Sequence, residues 1–266
     1  MHILGGLLSL MIGVVLGLVG GGGSILTVPL VHYIFGTTML LATTYSLFVV
    51  AVAAGIGTVQ RSRSGSVDFR QGVIFVIPSM LTALMIRGWV IPLLPDEFLI
   101  RNSTIEADII IAILLMLVMF YTAIRTLTSR REPSTEDPAF MVVALFGVLT
   151  GTLSGLIGAG GGFIIVPILL RLGLPMKKAV GTSMFIITIQ SMVALIGDIF
   201  NPKIIEAGGI NWTLLSIITI LTVGGVLIGN YLQKYFSGKI LRKIFGLLLI
   251  LVSVGIGYDK IIQLVF

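Results

Sequence analysis

Apolar residues in this chain run in long uninterrupted blocks instead of lining one face of short elements. The blocks are Ile3–Val19, Ile25–Phe35, Leu40–Val59, Gly72–Leu94, Ala107–Leu127, Ala139–Ile157, Phe163–Leu172, Ala179–Phe200, Trp212–Leu232 and Ile240–Leu264. Many are long enough to cross roughly 30 Å of hydrocarbon. They lack the period-two alternation of membrane barrel strands, so they are read as helices. Charged residues make up 11% of the 266 residues, against about 25% in a soluble domain. The mean hydropathy is +1.13. A water-soluble globule of this size cannot cover so much apolar surface. The expected fold class is an all-α polytopic membrane protein with little extramembrane structure.

The composition also removes several chemistries. There is no Cys, and the two histidines are His2 and His32. Disulfides, thiolate metal sites and a histidine cage are therefore not expected, and neither a metal nor a cofactor is called for. An intramembrane enzyme would need a nucleophile with its base, a metal cage or paired carboxylates inside the spans, and no such spacing is present. The net charge of +6 is explained by basic cytoplasmic loops, without a nucleic-acid partner. No Lys or Arg precedes the first apolar run, so no cleavable signal peptide is expected.

A polar stretch, Ser129–Pro138, divides the chain into an N-terminal transmembrane repeat, 1–128, and a C-terminal one, 139–266, with 129–138 as a cytoplasmic linker. Each half carries five helical blocks in the same order. The string from Gly17 to Pro29 (GLVGGGGSILTVP) aligns with Gly155 to Pro167 (GLIGAGGGFIIVP), with seven of 13 positions identical. After a one-residue gap Gly36, Met39, Ala42, Ser46 and Phe48 pair with Gly173, Met176, Ala179, Ser183 and Phe185. A rare string at the same place in two five-helix halves marks an internal repeat.

Placing the loop after Val59 in the cytoplasm puts 13 of the 17 basic residues inside. The outer loops keep Arg101, Lys203 and Lys260, and Arg87 lies within a span. That bias fixes the orientation. Five crossings per half invert the second half relative to the first, and both termini fall outside.

Four consecutive glycines, Gly20–Gly23, are unfavourable in a helix by about 1 kcal/mol each relative to Ala. Each glycine cluster is followed by a block too short to span alone. Non-helical backbone at membrane depth persists only where protein buries it or a wet cavity adjoins it. Small residues also allow close helix packing, which is the competing explanation. Helices starting near Ser24 and Gly162 would present unpaired N–H groups and the positive dipole end, which favours an anion. Inverted repeats bring two such ends toward the midplane. A phosphate loop is excluded, because no Lys-Ser or Lys-Thr follows either cluster.

These strings, together with Ala179-Val180-Gly181-Thr182-Ser183-Met184-Phe185 and its divergent partner Ala42–Phe48, resemble the TauE/SafE family of sulfite and organosulfonate exporters over nearly the whole chain. The resemblance implies a permease moving sulfite, sulfonates or related small anions across the bacterial inner membrane. The expected partners are a small inorganic or organic sulfur oxyanion and the lipid bilayer, and a homodimer is allowed.

The candidate substrate-binding residues are Gly20, Gly21, Gly22, Gly23 and Ser24 at the first break and Gly158, Gly160, Gly161 and Gly162 at the second. Thr44, Ser46, Thr182 and Ser183 begin the helices after the breaks, where a hydroxyl either meets the substrate or bonds back to its own helix. Gln190 either contacts substrate or joins two helices. Arg87 sits roughly 10 Å from the outer end of its helix at about 1.5 Å per residue. It either serves the anion or extends its head to the interface. Asp108 and Asp198 are read as interfacial, Asn230 is set aside, and no carboxylate is expected deep in a span. The resulting expectation is secondary transport by alternating access between two inverted halves. A channel on the same site and a non-transporting assembly subunit are the rivals.

Overall fold

The computed structural model describes residues 2–21, 24–93, 97–100, 103–128, 139–157, 161–199 and 210–265. The linker 129–138, Lys203 and four candidate glycines, Gly22, Gly23, Gly158 and Gly160, lie outside the described residues.

The helices are α1 (His2–Val19), α2 (Ser24–Pro29), α3 (Met39–Ser62), α4 (Phe69–Met85), α5 (Ile91–Leu93), α6 (Ala107–Thr128), α7 (Phe140–Ile157), α8 (Gly162–Arg171), α9 (Met176–Ile199), α10 (Trp212–Leu232) and α11 (Gly238–Val265). A π-helical turn, Leu30–Ile34, extends α2, and another, Ile86–Val90, joins α4 to α5. Four helical stretches are long and apolar enough to cross a membrane: Leu40–Ser62, Phe69–Val90, Met176–Asp198 and Trp212–Tyr235. Shorter apolar helices fill the remaining blocks. The chain is a polytopic helical membrane protein. The all-α expectation needs one amendment. An antiparallel hairpin, β1 (Glu97–Ile100) with β2 (Ser103–Glu106), pairs Glu97 with Glu106 ahead of α6.

Side chains set several helix starts. The Thr38 hydroxyl accepts from the Leu41 N–H at 3.4 Å at the head of α3. The Asp68 carboxylate accepts from the Gln71 N–H at 3.0 Å at α4. The Asn211 side-chain oxygen accepts from the Leu214 N–H at 3.0 Å at α10. Each satisfies one of the donors that a first turn leaves open. On α4 the exposed side chains Val73, Ile77, Leu81 and Met85 recur every four residues, which forms one apolar stripe for lipid to cover.

The main helix pairs form a regular pattern. α1 packs on α10, and its counterpart α7 packs on α4. α3 packs on α9 and also on α10, while α9 packs also on α4; α6 pairs with α11. Exchanging α1, α3, α4 and α6 for α7, α9, α10 and α11, in that order, maps this set of pairs onto itself. Glycine makes the closest pairs feasible. A methyl on Gly13 would lie 2.1 Å from the Thr222 carbonyl oxygen, and one on Gly229 would lie 2.2 Å from the Val14 oxygen. On α7, a methyl on Gly151 would lie 2.2 Å from the Ser79 oxygen. These glycines bring backbones together, as small residues do between membrane helices.

Candidate functional site

The two glycine breaks meet. A methyl on Gly21 would lie 1.9 Å from the carbonyl carbon of Gly162, and one on Gly162 would lie 2.2 Å from the Gly21 Cα. Backbone therefore rests on backbone where α8 begins and just before Ser24 opens α2. Gly20 adopts φ +79° and faces α9, where a Cβ would lie 2.6 Å from the Ser183 hydroxyl. Gly161 caps α8 at φ +64°, a left-handed conformation that glycine takes without a steric penalty. A Cβ there would lie 3.0 Å from Ser154 Cβ.

Buried polar side chains surround this junction. Gln190 and Ser79 are fully buried, and the Ser79 hydroxyl donates to Gln190 Oε1 at 2.7 Å. The Gln190 amide nitrogen has no hydrogen-bond partner, and neither has the Ser154 or the Ser191 hydroxyl. Gln190 stands one turn beyond Ile187, whose side chain touches Gly162, and Ser154 lies against Gly161. A buried donor without a partner costs about 1–3 kcal/mol. Ser154, against Gly161, and Gln190, one turn from the residue that touches Gly162, each carry such a buried donor.

A second cluster holds Arg87 and Thr44. Arg87, on the π turn after α4, is 1% exposed, and its Nη1 lies 3.2 Å from Asp198 Oδ2. Nη1 also donates to the Thr43 hydroxyl at 3.1 Å, and the Thr44 hydroxyl donates to Asp198 Oδ2 at 2.7 Å. The Arg87 Nε and Nη2 groups have no partner. Asp198 stands at the end of its span, as the sequence reading placed it, but it is not in contact with water. There the arginine offsets a desolvation that would otherwise exclude a carboxylate. The pair also replaces the extended-head reading of Arg87, whose guanidinium turns inward.

A third cluster was missed. Arg61 and Asn230 are buried. The Arg61 Nε donates to the Asn230 side-chain oxygen at 2.9 Å, and the rest of the guanidinium reaches Gln233 and the Gly17 carbonyl oxygen. Arg61 looked like a loop cation, but α3 runs through it to Ser62. The alignment that pairs Ser46 with Ser183 pairs Arg61 with Asp198, and that register is the signal that could have revealed both.

Of the remaining candidates, Ser183 lies against Gly20 at the first break, while Thr182 serves another contact. The Thr182 hydroxyl accepts from the Asp68 N–H at 2.9 Å and so secures the loop before α4. The Ser183 hydroxyl bonds back to the Val180 oxygen at 2.8 Å, and Ser46 is fully buried. Among the described residues no group of His, Asp and Glu is placed to hold a metal ion.

A broken-helix pair meeting inside a doubled helical bundle is transporter architecture. Residues 5–256 match the family model described as "Sulfite exporter TauE/SafE". The chain belongs to the TauE/SafE family. Relatives of this family include a "Probable membrane transporter protein" from Xylella fastidiosa (strain 9a5c), 29% identical over 92% of this chain and 90% of the relative. Another is YunE of Bacillus subtilis (strain 168), also described as a probable membrane transporter, 28% identical over 96% of both chains. "Sulfite exporter TauE/SafE family protein 3" of Arabidopsis thaliana is 30% identical, over 41% of this chain and 21% of the relative. No solved structure matches. The chain is a membrane transporter of the TauE/SafE type.

Proposed function

We propose that this TauE/SafE transporter is a secondary exporter of a small oxyanion, sulfite or an organosulfonate, across the bacterial inner membrane. It works by alternating access between two inverted halves, 1–128 and 139–266, without enzymatic chemistry. The observation that carries this reading is the contact of Gly21 with Gly162, beside the unpartnered donors of Gln190 and Ser154. Main-chain N–H groups at the two helix starts, with these side chains, supply the hydrogen bonds that an oxyanion would otherwise take from water. Gly21 and Gly162 touch in the structure, so the anion enters when the halves part. Arg87 offers two further donors. The exchange symmetry of the helix pairs supports two related halves, the odd number of crossings read in each half supports their inversion, and the distribution of Lys and Arg supports termini outside and the linker 129–138 in the cytoplasm.

The test is transport by the purified chain in liposomes. Labelled sulfite or taurine should enter faster when the same anion is trapped inside, and uptake should saturate. Linear flux unaffected by trapped anion would favour a channel. Absence of flux for sulfite, taurine and methanesulfonate alike would remove the proposed substrate class.

A further inference from the structure

Arg87 does not meet Asp198 through the edge that a guanidinium often offers a carboxylate. A single nitrogen, Nη1, donates to both carboxylate oxygens at 3.2 Å, and the same nitrogen donates to Thr43. The planar edge formed by Nε–H and Nη2–H is the one that grips two oxygens of an oxyanion at once. Both of its nitrogens lack a partner, in a side chain that is 1% exposed. Unsatisfied donors on a buried cation are costly, and two parallel N–H groups fit a sulfonate, sulfite or carboxylate.

Three levels of contact set this edge apart from the glycine junction. Ser79 of α4 bonds Gln190 of α9. One turn further along each helix, Ala83 and Ala194 form a fully buried apolar cluster with Leu47 of α3. Another turn on, Arg87 meets Asp198, and Thr44, one turn before Leu47, bonds the same carboxylate. The Gln190 and Asp198 levels are therefore about 12 Å apart along α9.

Charge balance decides what an anion brings to this cluster. Among the described residues, Arg87 is the charged partner of Asp198, and α3 supplies the Thr43 and Thr44 hydroxyls. Tyr45, beside them, accepts from the Asn211 N–H. Between Gln71 and Met85, α4 carries no charged residue. The cations of α8 and α11, Arg171, Lys239, Arg242 and Lys243, stand on helices that touch α9 at Ile187 and Met176, about three and six turns from Asp198. Arg87 and Asp198 cancel. A monoanion on the open edge would leave one net negative charge buried, which an interior excludes unless it is neutralised. Arginine keeps its proton, whereas a carboxylate can gain one and still hydrogen-bond. We propose that the Arg87 edge binds one oxyanion together with one proton, which passes from solution to the Asp198 carboxylate when the site opens, while Thr44 keeps its bond to Oδ2. The inference rests on the transporter reading and deepens it, by giving the anion a proton as its companion and a second station beyond the Leu47 layer.

The experiment adds methanesulfonate, whose charge is constant near neutral pH, to the purified full chain in weakly buffered detergent solution. Proton uptake is read with a pH electrode and the melting temperature is measured alongside. Wild type should take up about one proton per chain at saturation, since two ligands of one site favour each other reciprocally. Asp198→Asn, neutral from the outset, should take up none. Methanesulfonate should raise its melting temperature more than that of wild type, because the anion then supplies the missing partner of Arg87. Arg87→Gln should take up none, and Gln190→Leu, altered at the glycine junction, should keep the uptake. Wild type and Gln190→Leu decide the matter even if the charge variants do not fold. Stabilisation of wild type without proton uptake, uptake that survives in Asp198→Asn, or uptake lost in Gln190→Leu would overturn the proposal and leave the transporter reading standing. No stabilisation of wild type by methanesulfonate, sulfite or taurine would remove both.

Discussion

Arg87 and Asp198 form an ion pair at 3.2 Å in which neither side chain reaches solvent. The pair ties the π turn after α4 to the end of α9, and Thr43 and Thr44 bring in the start of α3. Eighteen residues further along α3 stands Arg61, tied to α10 through Asn230 and to α1 through the Gly17 carbonyl. At about 1.5 Å per residue these two clasps lie roughly 27 Å apart. Arg61 and Asp198 hold equivalent places in the two halves, so each half contributes one charged anchor, at opposite ends of the bundle.

Removing one partner of the buried pair should be costly. Asp198→Ala or Arg87→Met alone is expected to destabilise the folded chain by about 3–5 kcal/mol, because the remaining charge is stranded away from water. The double variant should cost much less than the sum. Chemical denaturation of the purified single and double variants measures this, and additive losses would mean that the two groups do not depend on each other.

Arg87 should matter to transport beyond stability. Arg87→Lys can keep one contact to Asp198 but lacks the planar fork that leaves Nε and Nη2 available. It is expected to fold and insert, with transport restored only in part relative to Arg87→Gln. Transport by Arg87→Gln at the wild-type rate, with normal insertion, would confine the arginine to a structural role.

Topology can be read with single cysteines, since the native chain has none. Thr135→Cys, in the central linker, should resist an impermeant maleimide in intact cells and react once the membrane is opened. Labelling in intact cells would reverse the orientation derived from the basic loops.

The glycines separate by what their missing side chains would strike. Gly21→Ala and Gly162→Ala force a methyl into backbone, and both should lower the melting temperature sharply. Gly224→Ala meets nothing closer than 3.9 Å and should leave it nearly unchanged. Gly5 is not the neutral control its distance from the break suggests, because a methyl there would lie 2.4 Å from the Phe35 ring. Melting curves of the four variants decide this; equal losses at Gly224 and Gly21 would show that the close contact of the two breaks is not what the glycines protect.

The helical blocks and the glycine breaks were legible because length and a repeated rare string are properties of the sequence itself. The charged anchors were hidden for a physical reason. Asp198 stands two residues before Phe200, the end of an apolar block, and Arg61 opens a polar run, Arg61-Ser62-Arg63-Ser64. At a block end the sequence does not reveal whether a side chain turns toward water or inward. That depends on neighbours contributed by distant helices, here Arg87 for one and Asn230 for the other. The hairpin was missed because its two four-residue strands are too short to stand out beside the long helices. Thr182 looked like a substrate ligand because it follows a break, yet its hydroxyl serves the Asp68 amide.

The most direct test of the central claim, that the anion is held where the two breaks meet, is anion affinity measured together with melting temperature on Gln190→Leu and Gly161→Ala. Gln190→Leu removes an amide whose nitrogen has no protein partner. Gly161→Ala sets a methyl beside Ser154 at a φ of +64°, a strain of about 1–2 kcal/mol. Both should weaken sulfite or organosulfonate binding at least about tenfold, the equivalent of ~1.4 kcal/mol, while Gln190→Leu, which removes the unpartnered nitrogen but strands the Ser79 hydroxyl, exchanges one buried unmade bond of about 1–3 kcal/mol for another and so melts close to wild type. Normal affinity in both variants would contradict the account and move the search for the anion to Arg87 and its hydroxyl neighbours.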